Sequence, residues 1–373
     1  MAQRLRVGLI GCGAIAQIMH IPYLVEHEKF ELVSLCDNYR PVVDAVGERY
    51  HIDRRYTDWN DLLANDDLDA VVIAHSGSHR DSVMAALDAN KHLLVEKPLA
   101  WTVRETEEVV ARAEQSDRIV QLGYHKLYDP AFNYARQQID AMPDIGFVRI
   151  TVLHPANELG FSPYRLRRGD GRIEEGHQQP GPLDEQYAGQ VQAFAGAELG
   201  PLIDEVLGPR KDETALRVAN ATIILSLIHQ IYMLFNLIGE PERVLSTDVW
   251  RGGFSLHSVI QMPGDLRCTI DWHYLSYLKD YREEYAVYGH HERVLLDFPS
   301  PYFRNFPSPV TVQGGDGELS WEKRVTVSHA EAFENELLAF YDNVINNTQP
   351  ISTVQDALKH VRFAQELLEA ARV

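Results

Sequence analysis

Ten residues near the start of the chain, Val7-Gly8-Leu9-Ile10-Gly11-Cys12-Gly13-Ala14-Ile15-Ala16, restrict its fold more than any other stretch. An apolar run leads into Gly11, Gly13 and Ala16, spaced G-x-G-x-x-A, and a helical pattern follows. Each small residue has a physical task in a dinucleotide site. Gly11 permits the tight turn out of a strand, Gly13 lets backbone approach a pyrophosphate, and Ala16 lets the helix lie against the strand. The helix N-terminus, with Ala14 and Ile15 in its first turn, then faces the phosphates. The motif gains weight if strands and helices alternate after it and an acid follows about 20 residues on.

Both conditions hold. Residues 5–11 and 32–36 read as buried parallel strands, and the second ends at Asp37-Asn38. A carboxylate at Asp37 accepts hydrogen bonds from ribose hydroxyls and repels a 2′-phosphate, which favours NAD. Arg40 keeps NADP open. Further strands are expected at 70–74, 92–95 and 119–122. Helices are expected at 14–25 (disturbed near Pro22), 41–50, 58–63, 81–89 and 103–115. This alternation predicts a doubly wound parallel sheet of Rossmann type with ligands beyond the carboxyl ends of its strands. Residues 11–14, 36–38, 75–79, 96–98 and 123–125 should therefore line the site.

At 373 residues the chain predicts two domains, 1–124 for dinucleotide binding and 125–373 for substrate and oligomerisation. After a strand at 147–153, residues 155–210 are rich in Gly, Pro and charge. Helical pieces are expected there at 184–195 and 200–207. Residues 214–238 read as one apolar helix. Strands follow at 245–250, 254–262, 267–275, 284–289, 293–298 and 324–327, punctuated by turns such as Pro263-Gly264 and Gly314-Gly315. The second domain is thus α+β with a large, open, mainly antiparallel sheet, whose bare face predicts a homodimer or homotetramer. Two amphipathic helices, 330–346 and 354–371, close the chain, the last expected to pack back toward the N-terminal domain.

A net charge of −19 argues against nucleic acid and anionic membranes as partners. Cys12, Cys36 and Cys268 have neither disulfide nor metal-ligand spacing, and no metal is expected. A strand directly at the N-terminus and no apolar run judged long enough for a bilayer give a cytoplasmic reading.

Four segments resemble the Gfo/Idh/MocA oxidoreductase family at its spacing. They are Gly11-Cys12-Gly13-Ala14-Ile15-Ala16, Ala74-His75-Ser76-Gly77-Ser78-His79, Glu96-Lys97-Pro98, and Gly123-Tyr124-His125-Lys126 followed by Asp129-Pro130-Ala131-Phe132. Residues 348–371 resemble its closing helix. The likeness is dense over the first third and sparse beyond.

The resemblance implies NAD(P)-dependent oxidation or reduction of a hydroxyl or carbonyl on a sugar, cyclitol or related small molecule. It places Lys97 on the reacting oxygen and Glu96 beside the nicotinamide ribose or orienting Lys97. Ser76, Gly77, His79 and His125 fall near the cofactor. His229 matches the family's second-domain base. The family has an aspartate four residues before that histidine; here it is Leu225, and Tyr232 follows three residues after. Support for His229, or an alternative proton acceptor, is sought among Ser226, Tyr232, Tyr124, His125, Tyr128 and His154.

The altered proton path keeps two alternatives in view, an NAD-retaining glycosidase-like redox–elimination enzyme and a non-catalytic sensor or partner protein. The aromatic cluster 274–285 reads as sheet packing, His290-His291 as surface, and Arg165, Arg167 and Arg168 as solvated charge in the insertion.

Overall fold

The computed structural model describes residues 4–168, 173–175 and 199–373. The chain forms two compact units. The first comprises Met1–His125, Phe161–Gln178 and Phe333–Lys359; the second comprises Lys126–Gly160, Gln179–Ala332 and His360–Val373.

In the first unit the strands are β1 (Leu5–Ile10), β2 (Phe30–Cys36), β3 (Arg54–Tyr56), β4 (Ala70–Ile73), β5 (His92–Glu96) and β6 (Val120–Gly123). They form one parallel sheet in the order β3-β2-β1-β4-β5-β6. The central strands are apolar on both faces because helices cover both, and β4 has all four residues buried. The order reverses between β1 and β4, so the switch point lies at the end of β1, where the glycines stand. The short edge strand β3 has no counterpart in the sequence reading. Its three residues, two of them arginines, carry no apolar period to reveal it.

The first helical run spans 14–26 and contains a π-turn at Ala16–His20, one turn earlier than the disturbance expected at Pro22. Proline has no N–H for the preceding turn, so the helix loosens ahead of it. Residues of the C-terminal region complete the sheet edge: Ser352 accepts from Leu122 N–H through its carbonyl (3.1 Å) and donates its hydroxyl to Leu122 O (2.7 Å). Gln121 Nε2 donates to the Glu336 carbonyl at 2.9 Å and fastens the helix Ala332–Asn346.

Residues 161–178 belong to the same unit. There β8 (Arg165–Arg167) and β9 (Ile173–Glu175) form an antiparallel ribbon. The helix Gly200–Leu207 forms as expected; the helical piece expected at 184–195 lies outside the described residues.

The second unit is built on a nine-stranded sheet of β7 (Phe147–His154), β10 (Arg243–Trp250), β11 (Ser255–Gln261), β12 (Arg267–Tyr274), β13 (Arg282–Tyr288), β14 (Glu292–Phe298), β15 (Pro309–Gly315), β16 (Ser320–Thr326) and β17 (Ala371–Arg372). The order is β16-β15-β14-β13-β7-β12-β11-β10-β17. Only the β7–β12 and β10–β17 pairs are parallel. Buried and half-exposed residues alternate along β7 and β12, the pattern of a sheet with one covered face.

Two readings need correction here. Gly314-Gly315 is not a turn but the end of β15. A side chain at Gly314 would meet Trp321 Cζ2 of β16 at 2.2 Å, so the glycine makes room for the indole. The helical run Thr214–Leu237, 24 residues with mean hydropathy 1.6, does meet the length and apolarity of a membrane span. However, 78% of its most apolar window is buried within the protein, which accounts for that apolarity.

Candidate functional site

The glycine turn follows directly from the end of β1. Gly11 has φ +97°, and a Cβ there would lie 2.3 Å from His75 N, so only glycine fits between the two strand ends. Gly13 is exposed, and a Cβ added there would meet nothing within 4 Å, while Ala16 is wholly buried against the sheet. Ala14 and Ile15 open the helix half-exposed. Asp37 Oδ2 accepts Cys12 N–H and Oδ1 accepts Tyr39 N–H, both at 2.9 Å, which fixes the carboxylate beside the turn. Asn38 is exposed. Arg40 donates to Arg55 O at 3.2 Å and lies 3.6 Å from Asp44. Burial, then the charges of Asp37 and Cys36, push the Cys12 thiol far up, so it stays protonated. An open space at Gly13, backbone N–H groups at a helix start and a fixed ribose-facing acid fit a dinucleotide.

Two further strand-end loops are tied together by His79. It is 1% exposed, with Nδ1 2.6 Å from Pro98 O and Nε2 2.7 Å from His75 O. Burial, then the neighbouring His75, lowers its pKa to about 4, so the ring is neutral and donates to one carbonyl at a time. His79 thus positions the loops from within. Ser76 is exposed, Gly77 has φ +96°, and His75 stacks on Trp59 with centroids 5.7 Å apart.

Lys97 is half-buried, and its N–H donates to Glu96 Oε2 at 3.1 Å. Glu96 Oε1 lies 2.8 Å from His20 Nε2, and His20 is completely buried. Burial would raise the Glu96 pKa, but the His20 hydrogen bond, the charges of His20 and Lys97 and the Lys97 N–H hold it below its ordinary value. Phe333 meets the His20 ring edge-on at 5.7 Å and stacks flat on His125 at 4.2 Å. One turn further along, Glu336 is wholly buried. Neither carboxyl oxygen has a partner among the described residues. Burial, then the charge on Glu96, pushes its pKa well above the carboxylate range.

The sequence reading missed His20 and Glu336. A signal existed for the latter: Phe333, Glu336, Leu337 and Phe340 share one helix face, and the acid interrupts an apolar stripe.

His229 belongs to the second unit, on the helix Ile228–Leu237. A π-turn at Ile223–Leu227 precedes it and breaks the regular spacing by which Leu225 and Ser226 would stack beneath it. Ser226 instead accepts Trp272 Nε1–H at 2.9 Å. Tyr232, on the regular side, lies with Oη 3.0 Å from His229 Nδ1 and is fully buried.

The next residue, Gln230, donates to a buried hub absent from the sequence reading. Glu283 Oε1 accepts from Gln230 Nε2 (2.7 Å), Tyr285 Oη (2.5 Å) and Lys126 Nζ (2.6 Å); Oε2 accepts from Tyr281 Oη and again Lys126, both at 2.5 Å. Burial opposes the charge on Glu283, but Lys126 and the tyrosines outweigh it and the acid stays ionised.

The other proton acceptors considered lose ground. Tyr124 is buried and its phenol pushed far up by burial, then by Asp356; His154 Nδ1 is 2.7 Å from Pro155 O. Tyr128 is half-buried. Tyr274 and Tyr285 are buried in β12 and β13 as expected of sheet packing, whereas Tyr277, in the connection between those strands, is 55% exposed; His290-His291 is exposed at the β13–β14 hairpin, as expected. Among the described residues no His/Cys/Asp/Glu group could hold a metal.

A parallel sheet with a glycine turn at its switch point, an acid fixed beside that turn and a strand-end lysine defines an NAD(P)-binding Rossmann domain. Residues 5–124 match the family model described as "Oxidoreductase family, NAD-binding Rossmann fold", the Gfo/Idh/MocA model that the sequence motifs resemble. An inositol 2-dehydrogenase of Salmonella paratyphi B is 33% identical over 141 residues, 37% of this chain and 42% of that protein. An inositol 2-dehydrogenase/D-chiro-inositol 3-dehydrogenase of Lacticaseibacillus casei is 31% identical over 139 residues, 36% of this chain and 40% of that protein. The matches thus span about two fifths of these relatives' length. A 3-ketoreductase from Actinomadura kijaniata, solved with NADP and TDP-benzene, shares the fold with TM-score 0.74 at 17% identity, over 99% of this chain and 98% of that one.

Proposed function

We propose that the chain is an NAD(P)-dependent oxidoreductase that moves a hydride between nicotinamide C4 and the carbon of a hydroxyl or carbonyl. Its substrate would be a cyclitol, a sugar or a related small polyol, the class to which the named relatives' inositol belongs. The bound dinucleotide supplies the hydride acceptor in one direction and the donor in the other. Asp37 favours NAD, because its fixed carboxylate repels a 2′-phosphate; Arg40 sits one turn away for the opposite preference. In oxidation Lys97 stabilises the negative charge that grows on the substrate oxygen as hydride leaves. His229 takes the hydroxyl proton. The tautomer that donates Nδ1–H to Tyr232 Oη puts the basic lone pair on Nε2, so Tyr232 does the orienting work of the aspartate replaced by Leu225.

The observation that carries this reading is the buried His20–Glu96 pair holding the backbone of Lys97, since cofactor binding alone needs no lysine secured in this way. Stopped-flow NADH fluorescence with a panel of inositols and sugars tests it. Lys97→Ala should abolish turnover while keeping NADH binding. Glycoside cleavage without net NADH, or binding with no turnover on any substrate, would replace this reading by one of the two alternatives. The half-exposed face of the nine-stranded sheet supports pairing of two or four copies, measurable by light scattering.

A further inference from the structure

The ribbon strand β8 does not stand apart from the glycine turn. Gln17, one helical turn past Gly13 and 6% exposed, folds its amide back so that Nε2 donates both to Cys12 O (2.8 Å) and to Arg167 O (3.0 Å). Its Oε1 accepts Arg167 N–H at 2.8 Å. The side chain thereby imitates a neighbouring strand, satisfying both backbone groups of Arg167, and a single amide nitrogen spans from that backbone to the carbonyl of the turn. A second anchor holds the other end: Arg49 donates to Arg165 O at 2.9 Å. Leu166 between them is buried.

Side chains alternate along β8, so Arg165 and Arg167 share the face opposite Leu166. Arg165 is exposed, whereas Arg167 is half-buried. The Arg167 guanidinium has no hydrogen bond or ion pair among the described residues. In a chain with 54 acidic and 35 basic residues, a partly buried arginine without a carboxylate among the described residues is poised for an anion from elsewhere. Its backbone is held next to Gly13, the open point of the turn.

Resting on the dinucleotide reading above, we infer that Arg167 is a phosphate-binding residue of the cofactor site, brought to the glycine turn by β8 and Gln17. The expectation of mere solvated charge is replaced for this arginine alone. A planar guanidinium forms paired hydrogen bonds with phosphate oxygens and adds a full charge to the helix-start N–H groups.

Equilibrium binding of NADH and NADPH, read by fluorescence, tests this with Arg167→Gln, Arg167→Lys and Arg165→Gln; adenosine serves as a competitor that lacks phosphate. Arg167→Gln should weaken NADH binding by about ten- to a hundredfold, with a shallower salt dependence, and Arg167→Lys should recover part of it. Arg165→Gln should bind NADH as wild type does, and adenosine should compete equally well in all four proteins. Unchanged NADH affinity in Arg167→Gln, or equal loss of adenosine and NADH, would overturn the inference. Wild-type protein that binds neither dinucleotide would overturn the cofactor reading itself, and this inference with it.

Discussion

Glu336 offers the sharpest test of how the first unit is built. Its carboxyl is wholly buried, has no partner among the described residues, and faces the ionised Glu96, itself paired with His20 and close to the Lys97 charge. Folding therefore raises its pKa above that of the unfolded chain, roughly 4.3 for a glutamate. A group with a raised folded pKa stabilises fully below its unfolded pKa, and that contribution is lost as pH rises toward the folded value. Within this window the native state holds one proton more than the unfolded state, and stability falls by about 1.4 kcal/mol per pH unit. Glu336→Gln keeps the shape and removes the titration. The variant should gain on wild type as pH rises above the unfolded value, at up to about 1.4 kcal/mol per pH unit, and the gain should level off once pH passes the folded value. Urea unfolding followed by tryptophan fluorescence at pH 5, 6, 7 and 8 measures the difference directly. Two parallel stability curves would show that Glu336 is ionised with an unseen counterpart, and the buried-acid reasoning would be wrong.

Two other perturbations separate packing from chemistry. Tyr232→Phe removes the hydroxyl that meets His229 Nδ1 while keeping the ring; turnover should fall by about tenfold and NADH binding should not change, with mixed His229 tautomers visible in nitrogen-15 spectra. Glu283→Leu leaves the buried Lys126 ammonium without its carboxylate, so the second unit should lose about 3–5 kcal/mol in chemical denaturation. Pairing it with Lys126→Met should recover most of that loss.

The doubly wound sheet was legible because buried parallel strands are short apolar runs bounded by turn residues, and 70–74 or 92–95 can hardly be read otherwise. Two strands without such a run escaped for the same reason. Arg54–Tyr56 has no apolar period, and Pro309–Gly315 begins with a residue that avoids strands and ends in two that suggest turns. On the site side, Gly11, Asp37 and Glu96-Lys97 announce themselves because each lies at the end of its own strand. His20, Glu336 and Arg167 act through partners 76, 240 and 150 positions away, as in the His20–Glu96 and Gln17–Arg167 pairs, and no local pattern encodes such meetings. The π-turn before His229 was equally hidden. One extra residue in a helical turn leaves the apolar composition unchanged while it rotates every side chain upstream.

The ring of His79 has a consequence for anyone who would redesign this protein. By resting on the carbonyls of both His75 and Pro98, it makes the cofactor-side loop and the lysine-bearing loop one mechanical piece. Both contacts are to backbone carbonyls, which any side chain leaves in place, so the link survives substitution within either loop as long as the histidine is kept. A redesign of the site should therefore hold His79 fixed and treat it as the pin about which the two loop sequences can be varied.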